Sequence, residues 1–519
     1  MHAQDERLRT GADVSATLQL AADLARRARR DEALQQLSHC EDWPEPFNER
    51  GLLVCAEVLA RRDPVSSLEF LASHTEAFKS AEGRFGYLVS SAFAYVNSRS
   101  FDGAREMLAS ARKLVQDDVK RVARLGYERS RLQWATRRYD PNSDDMALAM
   151  SDPSPGAQFK ALGLRSWMHA GLEDYVAQTR DLLAAFKQFQ EHGDLCDITT
   201  AAIYLRGLLG LAVELGDQDA MTAGERVYEA IEWTHDIADM QFLCLHALAW
   251  HAFHQGESGR AQWLFKDSMD LAPTIAWQVV AHIDRAYVAR INGNEAWAAE
   301  ELAQAHSLAE KTDWNSTHGE ERRALVLLAE LFAPTDMAQA QRYVSSYIQI
   351  GRHSLDPTLA GAHERRALAY EKYAAGRVQA VLGNVKLAMD SLEFAYDVFA
   401  QIQHAYRAAL AAAALFEVTE DLQWLEKARA QATTFPKSPL FRRLSELDKV
   451  EEQRVLSGLT PMQRQVAIAL SQGADLDELS HKFSRSRFTL EKQIEIIFAA
   501  LGVQSRHALR AELRQRKML

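Results

Sequence analysis

Between Arg485 and Arg506 the chain sets basic and small polar side chains at a spacing suited to a polyanionic partner. Arg485, Arg487, Lys492 and Arg506 offer charged donors for phosphate, while Ser486, Thr489 and Gln493 offer the neutral donors and acceptors that meet phosphates or base edges. The surrounding charge agrees with this. Residues 455 to 519 contain ten Lys/Arg against six Asp/Glu, a net +4, which leaves -11 - 4 = -15 for the rest of the chain. A protein of that sign does not coat nucleic acid along its length, so any such contact is confined to the tail.

A second concentration of chemistry lies mid-chain. Leu243, His246, Trp250, Phe253 and His254 share one side of a helical stretch whose other side carries Leu245, Leu248, Ala249 and Ala252. Six of the ten tryptophans fall between Trp233 and Trp314, which favours an aromatic-lined pocket for a small molecule, peptide or protein. For any one of these residues, gap-filling in a helical core is the competing role. His246, His251 and His254 with Cys244 do not place three ligands on one helix face, so no metal is expected. The four cysteines, Cys40, Cys55, Cys196 and Cys244, are far apart and read as reduced core residues.

Enzyme motifs are absent from the sequence. It contains no GxxxxGK[ST] phosphate loop, no GxSxG elbow and no HExxH helix, so no catalytic residue and no cofactor are expected. The first residues are charged and lack an apolar core, and the longest apolar run, Ala408 to Phe416, is too short to cross a bilayer. The expectation is a cytoplasmic protein without a membrane partner.

The elements that position these residues are helical. From about Asp13 to Thr434 few glycines or prolines interrupt the chain and no strand alternation appears. A helical-hairpin pattern recurs instead. Its clearest copy runs from Leu243 to Pro273, with Ala249 and Ala252 before a turn at Gly256, then Ala261, Phe265 and a closing proline. Further copies use Ala286, Gly293 and Ala298, then Gly376, Gly383, Ala388 and Ala395, with the turn glycine five residues before the packing alanine. An earlier one uses Ala92, Tyr95, Ala104, Leu108 and Ala111, and weaker ones surround Ala33, Ala220 and Ala340.

This pattern resembles the tetratricopeptide repeat, loosely and over roughly 400 residues. The resemblance implies an all-α superhelix of stacked hairpins with a concave binding surface. On that surface it places His246, Trp250, Phe253 and His254, with Tyr287 and Arg290 in the next copy, Tyr370, Tyr373 and Arg377 in the last, and Phe93 in the early one. The expected organisation is a flexible segment at 1–12, the helical array at 13–435, a linker at 436–456 marked by TTFPKSPLF and charged residues, and a small domain at 457–519.

In that last domain Thr460, Pro461 and Gln463 have the form of a capping box, Asp475 to Glu478 that of a second cap, and Leu490, Ile494, Ile497 and Leu501 form one apolar face before Gly502. Leu459-Thr460-Pro461, Arg464, Val466, Gln472-Gly473, Glu478-Leu479, Ser486, Thr489-Leu490, Ile494, Leu501-Gly502-Val503 and Ser505-Arg506 follow without a gap, and in this the tail resembles the LuxR-type helix-turn-helix domain. The resemblance implies a transcription regulator: the helix from Ser486 enters the major groove of double-stranded DNA, the helix at Arg506 to Arg516 supports a homodimer, and RNA polymerase is a further partner.

Three positions depart from the family. Phe488 stands where a small residue is usual, and Glu491 and Asp477 replace basic ones. The loss of positive charge implies weak DNA affinity unless a dimer, ligand or partner adds to it. The alternative is an interaction scaffold or anti-regulator whose altered tail binds no DNA.

Overall fold

The computed structural model describes residues 11–115, 118–317, 319–354, 362–445, 447, 459–483 and 485–515. Most of the segment expected to be flexible at 1–12, much of the linker expected at 436–456, and Ser484 and Arg516 lie outside them. The protein is all-α, with no strand among the described residues, and it divides into two compact units, Met1–Lys437 and Ser438–Leu519.

The first unit is a tetratricopeptide-like array. Its helices are α1 (Gly11–Arg26), α2 (Arg30–Gln36), α3 (Phe47–Arg62), α4 (Pro64–Ser73), α5 (Ala81–Asn97), α6 (Phe101–Arg112), α7 (Val119–Ala135) and α8 (Asp144–Ala149). They continue as α9 (Pro155–Gly171), α10 (Tyr175–His192), α11 (Ile198–Leu215), α12 (Gln218–Ala230), α13 (Ala238–His254), α14 (Ser258–Met269), α15 (Ile275–Ile291) and α16 (Glu295–Ala309). The last six are α17 (Gly319–Phe332), α18 (Met337–Ser354), α19 (Ala362–Val381), α20 (Val385–Gln401), α21 (Ala405–Thr419) and α22 (Leu422–Ala432). Each odd-numbered helix packs against the even-numbered one that follows, and most successive odd-numbered helices touch.

Local chemistry explains why the helices start and turn where they do. Asp63, Asp118, Asp174, Asp197, Asp217 and Asp421 each accept a backbone N–H in the first turn of the helix they cap. The turn glycines Gly256, Gly293 and Gly383 take φ of 78°, 77° and 76°, a left-handed conformation that costs glycine nothing. Five residues on, Ala261, Ala298 and Ala388 are fully buried, so the small side chain sits where the two helices of the hairpin come closest.

The array also closes on itself in two places. Near the start, both Arg61 Nη1 contacts to the Asp197 carboxylate (2.7 and 2.8 Å) join α3 to the cap of α11, and Asp236 accepts the Arg30 N–H at 2.8 Å. Further along, α21 packs against α11, α19 and α20. It is rich in alanine, and Ala408, Ala409 and Ala411–Ala414 are at most 1% exposed. Alanine is the best helix former and the smallest core side chain, which suits a helix enclosed on all faces. Among the described residues one helix, α11, is long and apolar enough to cross a membrane, but its Ala201, Leu205, Leu208 and Leu209 pack inside the array.

The second unit contains the helices Pro461–Ser471, Leu476–Phe483, Arg487–Leu501 and Arg506–Gln515 around Leu459, Val466, Leu470, Leu479, Leu490, Ile497, Leu509 and Leu513. Thr460 and Gln463 form the capping box read from the sequence. Asp475 accepts the Glu478 N–H at 2.8 Å while Glu478 accepts the Asp475 N–H at 3.1 Å, the reciprocal geometry expected there. Gly502 ends the third helix at φ 64°. Leu490, Ile497 and Leu501 are buried on its apolar face, and Ile494 packs beside them half-buried.

Candidate functional site

The residues singled out in the sequence fall in both units. In the tail, Arg485, Ser486, Arg487, Thr489, Lys492 and Arg506 are exposed, and Gln493 is half-buried. Ser486 is the N-cap: its Oγ accepts the Thr489 N–H at 3.2 Å and lies 2.8 Å from Thr489 Oγ1. The exposed start of this helix adds the positive end of its dipole to the nearby arginines. Arg487 is 3.3 Å from Asp477 with both side chains largely in solvent, so water and salt compete with the pair. Lys492 Nζ stands 4.9 Å from the centre of the exposed Phe488 ring. Glu491 and Glu495 are exposed on the same helix.

In the array, the residues expected on the concave surface are brought together in part, around an occupant the sequence reading did not foresee. Tyr287 Oη is 2.8 Å from Tyr406 Oη on α21, Tyr370 Oη donates to Glu214 at 3.3 Å, and Arg377 donates to Glu417 on α21 at 2.7 Å. Trp250 and His254 lie tilted against Tyr406, with ring centres 6.3 and 4.4 Å away. Phe253 is wholly buried, and Tyr373 donates to Glu330 at 3.1 Å. His246 instead pairs with Asp284 at 3.0 Å, and Arg290 donates to the Leu331 carbonyl at 3.1 Å. Arg407 of α21 enters this cluster. Burial works against its charge, but Tyr370, Glu214, Glu330 and Tyr287 more than offset that and raise its pKa. The void left among Trp250, Ile283, Tyr287, Glu330 and Arg407 is about 10 Å³, at the lower limit for one water.

Phe93, the remaining expected residue, lies elsewhere, on the wall of an open cavity of about 1320 Å³ lined by the first turn of the array. Its lining comes mainly from α3, α5, α7, α9 and α11. The guanidinium of Arg131 lies 3.9 Å from the centre of the Phe93 ring and pairs with Glu128 at 3.0 Å and with Asn97. Trp134 and Trp167 are 4.9 Å apart, and Trp167 meets Tyr204 edge-on at 5.2 Å. Tyr204 reaches this position only because residue 163 is glycine: a Cβ there would come within 1.8 Å of the tyrosine ring. Burial pushes the Tyr127 hydroxyl up to about 12, so it stays a neutral donor.

Apart from Phe93, sequence reasoning missed this cavity. A signal was present, since Tyr127, Arg131 and Trp134 recur at i, i+4 and i+7 on one face of α7. Among the described residues no group of three or more His, Cys, Asp or Glu is arranged to hold a metal.

No family profile matches the chain, and no curated protein does. Among solved structures, similarity is found to a Rap protein crystallised in complex with competence and sporulation factor. The identity is 11% and the TM-score 0.47, over 71% of this chain and 99% of that one. Similarity is also found to the APC/C hetero-tetramer Cut9–Hcn1, at 15% identity and a TM-score of 0.31, over 93% of this chain and 96% of that one.

Proposed function

We propose that the chain is a cytoplasmic transcription regulator in which a tetratricopeptide-like array takes up a peptide or protein partner and controls a LuxR-type helix-turn-helix unit that binds double-stranded DNA. One observation carries the DNA half: the third helix of the tail unit opens with Arg485, Ser486, Arg487, Thr489 and Lys492 all exposed around its N-terminus. That arrangement offers donors to phosphates and base edges from a helix end of the same polarity. Homodimerisation through the helix Arg506–Gln515 and contact with RNA polymerase belong to the same reading. Partner capture, rather than hydrolysis or phosphorylation, sets its activity.

The test is fluorescence anisotropy of the full chain against promoter and random DNA at two salt concentrations. Affinity should fall steeply with salt and favour one sequence. Arg487→Ala should weaken binding to all sequences, and Glu491→Lys should tighten it about tenfold. Salt-independent or undetectable binding with and without array partners would leave the second reading, an interaction scaffold. The exposed Phe488 and the exposed acids Glu491 and Glu495 favour that reading.

A further inference from the structure

The two turns of the array differ in one respect. In the second, the inward-facing residues enclose α21 and leave a void of about 10 Å³; in the first, they line a cavity of about 1320 Å³ that is open to solvent. We propose that the first turn is a receptor for an acidic α-helical segment of a partner protein, held as the second turn holds α21. This rests on the partner-binding role proposed above for the array.

Size argues against a small molecule. Ligand pockets of that kind run to about 300–1,000 Å³, below the volume here. A helix with side chains is about 10–12 Å across, so the same space takes about 12–17 Å of helix, or roughly 8–11 residues. Backbone chemistry favours a helix over an extended chain. The wall is made of helices whose backbone groups are already paired, so an extended occupant would bury N–H and C=O groups against side chains alone. A helical occupant brings its backbone satisfied, as α21 does.

Charge sets the sign. The lining holds nine Lys/Arg against seven Asp/Glu, a difference of +2, in a chain whose net charge is -11. Four of those acids already face lining cations: Glu57 with Arg124, Glu82 and Asp118 with Arg121, and Glu128 with Arg131. Arg99 and Lys120 are exposed lining cations that make no ion pair among the described residues. Deeper in, the rings of Trp134, Trp167 and Tyr204 form an aromatic floor for an apolar side chain of the occupant. Among the described residues, the lining hydroxyls Ser90 and Thr199 are buried without a hydrogen-bond partner and can bond an incoming polar group. The second turn shows the same complementarity with the signs exchanged, since Glu214 and Glu330 of the wall face Arg407 of the occupant.

The experiment is a selection of displayed peptides on the full chain. The pool holds lactam-stapled helical peptides and their proline-interrupted counterparts, each in acidic, neutral and basic compositions. Acidic stapled peptides should be enriched, and Arg99→Glu with Lys120→Glu should weaken their binding about tenfold or more. Lys187→Glu with Lys266→Glu, the same charge change at exposed positions outside the cavity, should leave it unchanged. Enrichment of proline-interrupted, neutral or basic peptides, or equal loss in the two double variants, overturns the proposal while partner binding by the array stands. If no peptide of any class binds, the proposal falls as well.

Discussion

His254 is 4% exposed among the rings of Trp250, Phe253, Tyr406 and Phe435, and burial lowers its pKa to about 3. An unfolded histidine takes up its proton near pH 6.5, whereas the folded one stays neutral until far lower pH. Its contribution to stability is therefore complete above about pH 6.5 and is lost progressively as the pH falls towards 3. Between pH 7.5 and 5.5 that single group removes about 1.4 kcal/mol. Urea unfolding at both pH values should show wild type losing about that much more than His254→Asn, which does not titrate. Because burial lowers His251 and His169 as well, the difference between the two proteins, rather than the wild-type slope, is the measure. Equal slopes would mean that protonated His254 is accommodated in the folded chain.

At the scale of the helical hairpin, the left-handed turn residue is the feature that glycine reveals and other residues conceal. Gly256, Gly293 and Gly383 made three repeats legible, because each announces its turn five residues before a packing alanine. The same backbone conformation occurs at Ala28, Arg99 and Gln403, with φ of 53°, 59° and 59°, five residues before the buried Ala33, Ala104 and Ala408. Those side chains give no sign of a positive φ, so Ala33 and Ala104 alone marked their hairpins with a vague register, and the hairpin at Ala408 went unread. The tail was more legible, because Thr460, Gln463, Asp475, Glu478 and Gly502 each declare a helix end by type and spacing. Composition could not show that α21 fills the second turn, since an alanine-rich helix suits a hairpin surface as well as an enclosed core. A side chain in the left-handed region costs about 1 kcal/mol relative to glycine. Gln403→Gly should therefore raise stability by about 0.5–1 kcal/mol, and Gly383→Ala should lower it by about 1 kcal/mol. Thermal unfolding of the two variants checks both signs. A loss in Gln403→Gly would show that the glutamine side chain makes a contact worth more than the strain.

At the scale of the whole array, closure changes how the molecule should unfold. An open solenoid touches only neighbouring repeats, so damage stays local and stability is close to a sum of adjacent terms. Here Arg61 and Asp197, 136 residues apart, form an ion pair in which one guanidinium nitrogen, Nη1, meets both carboxylate oxygens and the carboxylate is 7% exposed. Burial alone would raise the Asp197 pKa, but Arg61 and Lys160 and the hydrogen bonds from Arg61 and Thr200 hold it below the usual carboxylate value. Removing Arg61 leaves that charge buried without its principal partner, at a cost of about 3 kcal/mol. It also disconnects α3 from the cap of α11. In Arg61→Met, hydrogen exchange should therefore accelerate both in α1–α4 and around the start of α11, regions distant in sequence. Arg62→Met is the internal control, since Arg62 pairs with Asp31 where both side chains are solvated, and its loss should shift stability by less than about 0.5 kcal/mol. Acceleration confined to α3 and its two neighbours would mean that the first turn behaves as an open stack. The cavity it lines would then be held in shape by adjacent hairpins rather than by the clasp between its ends.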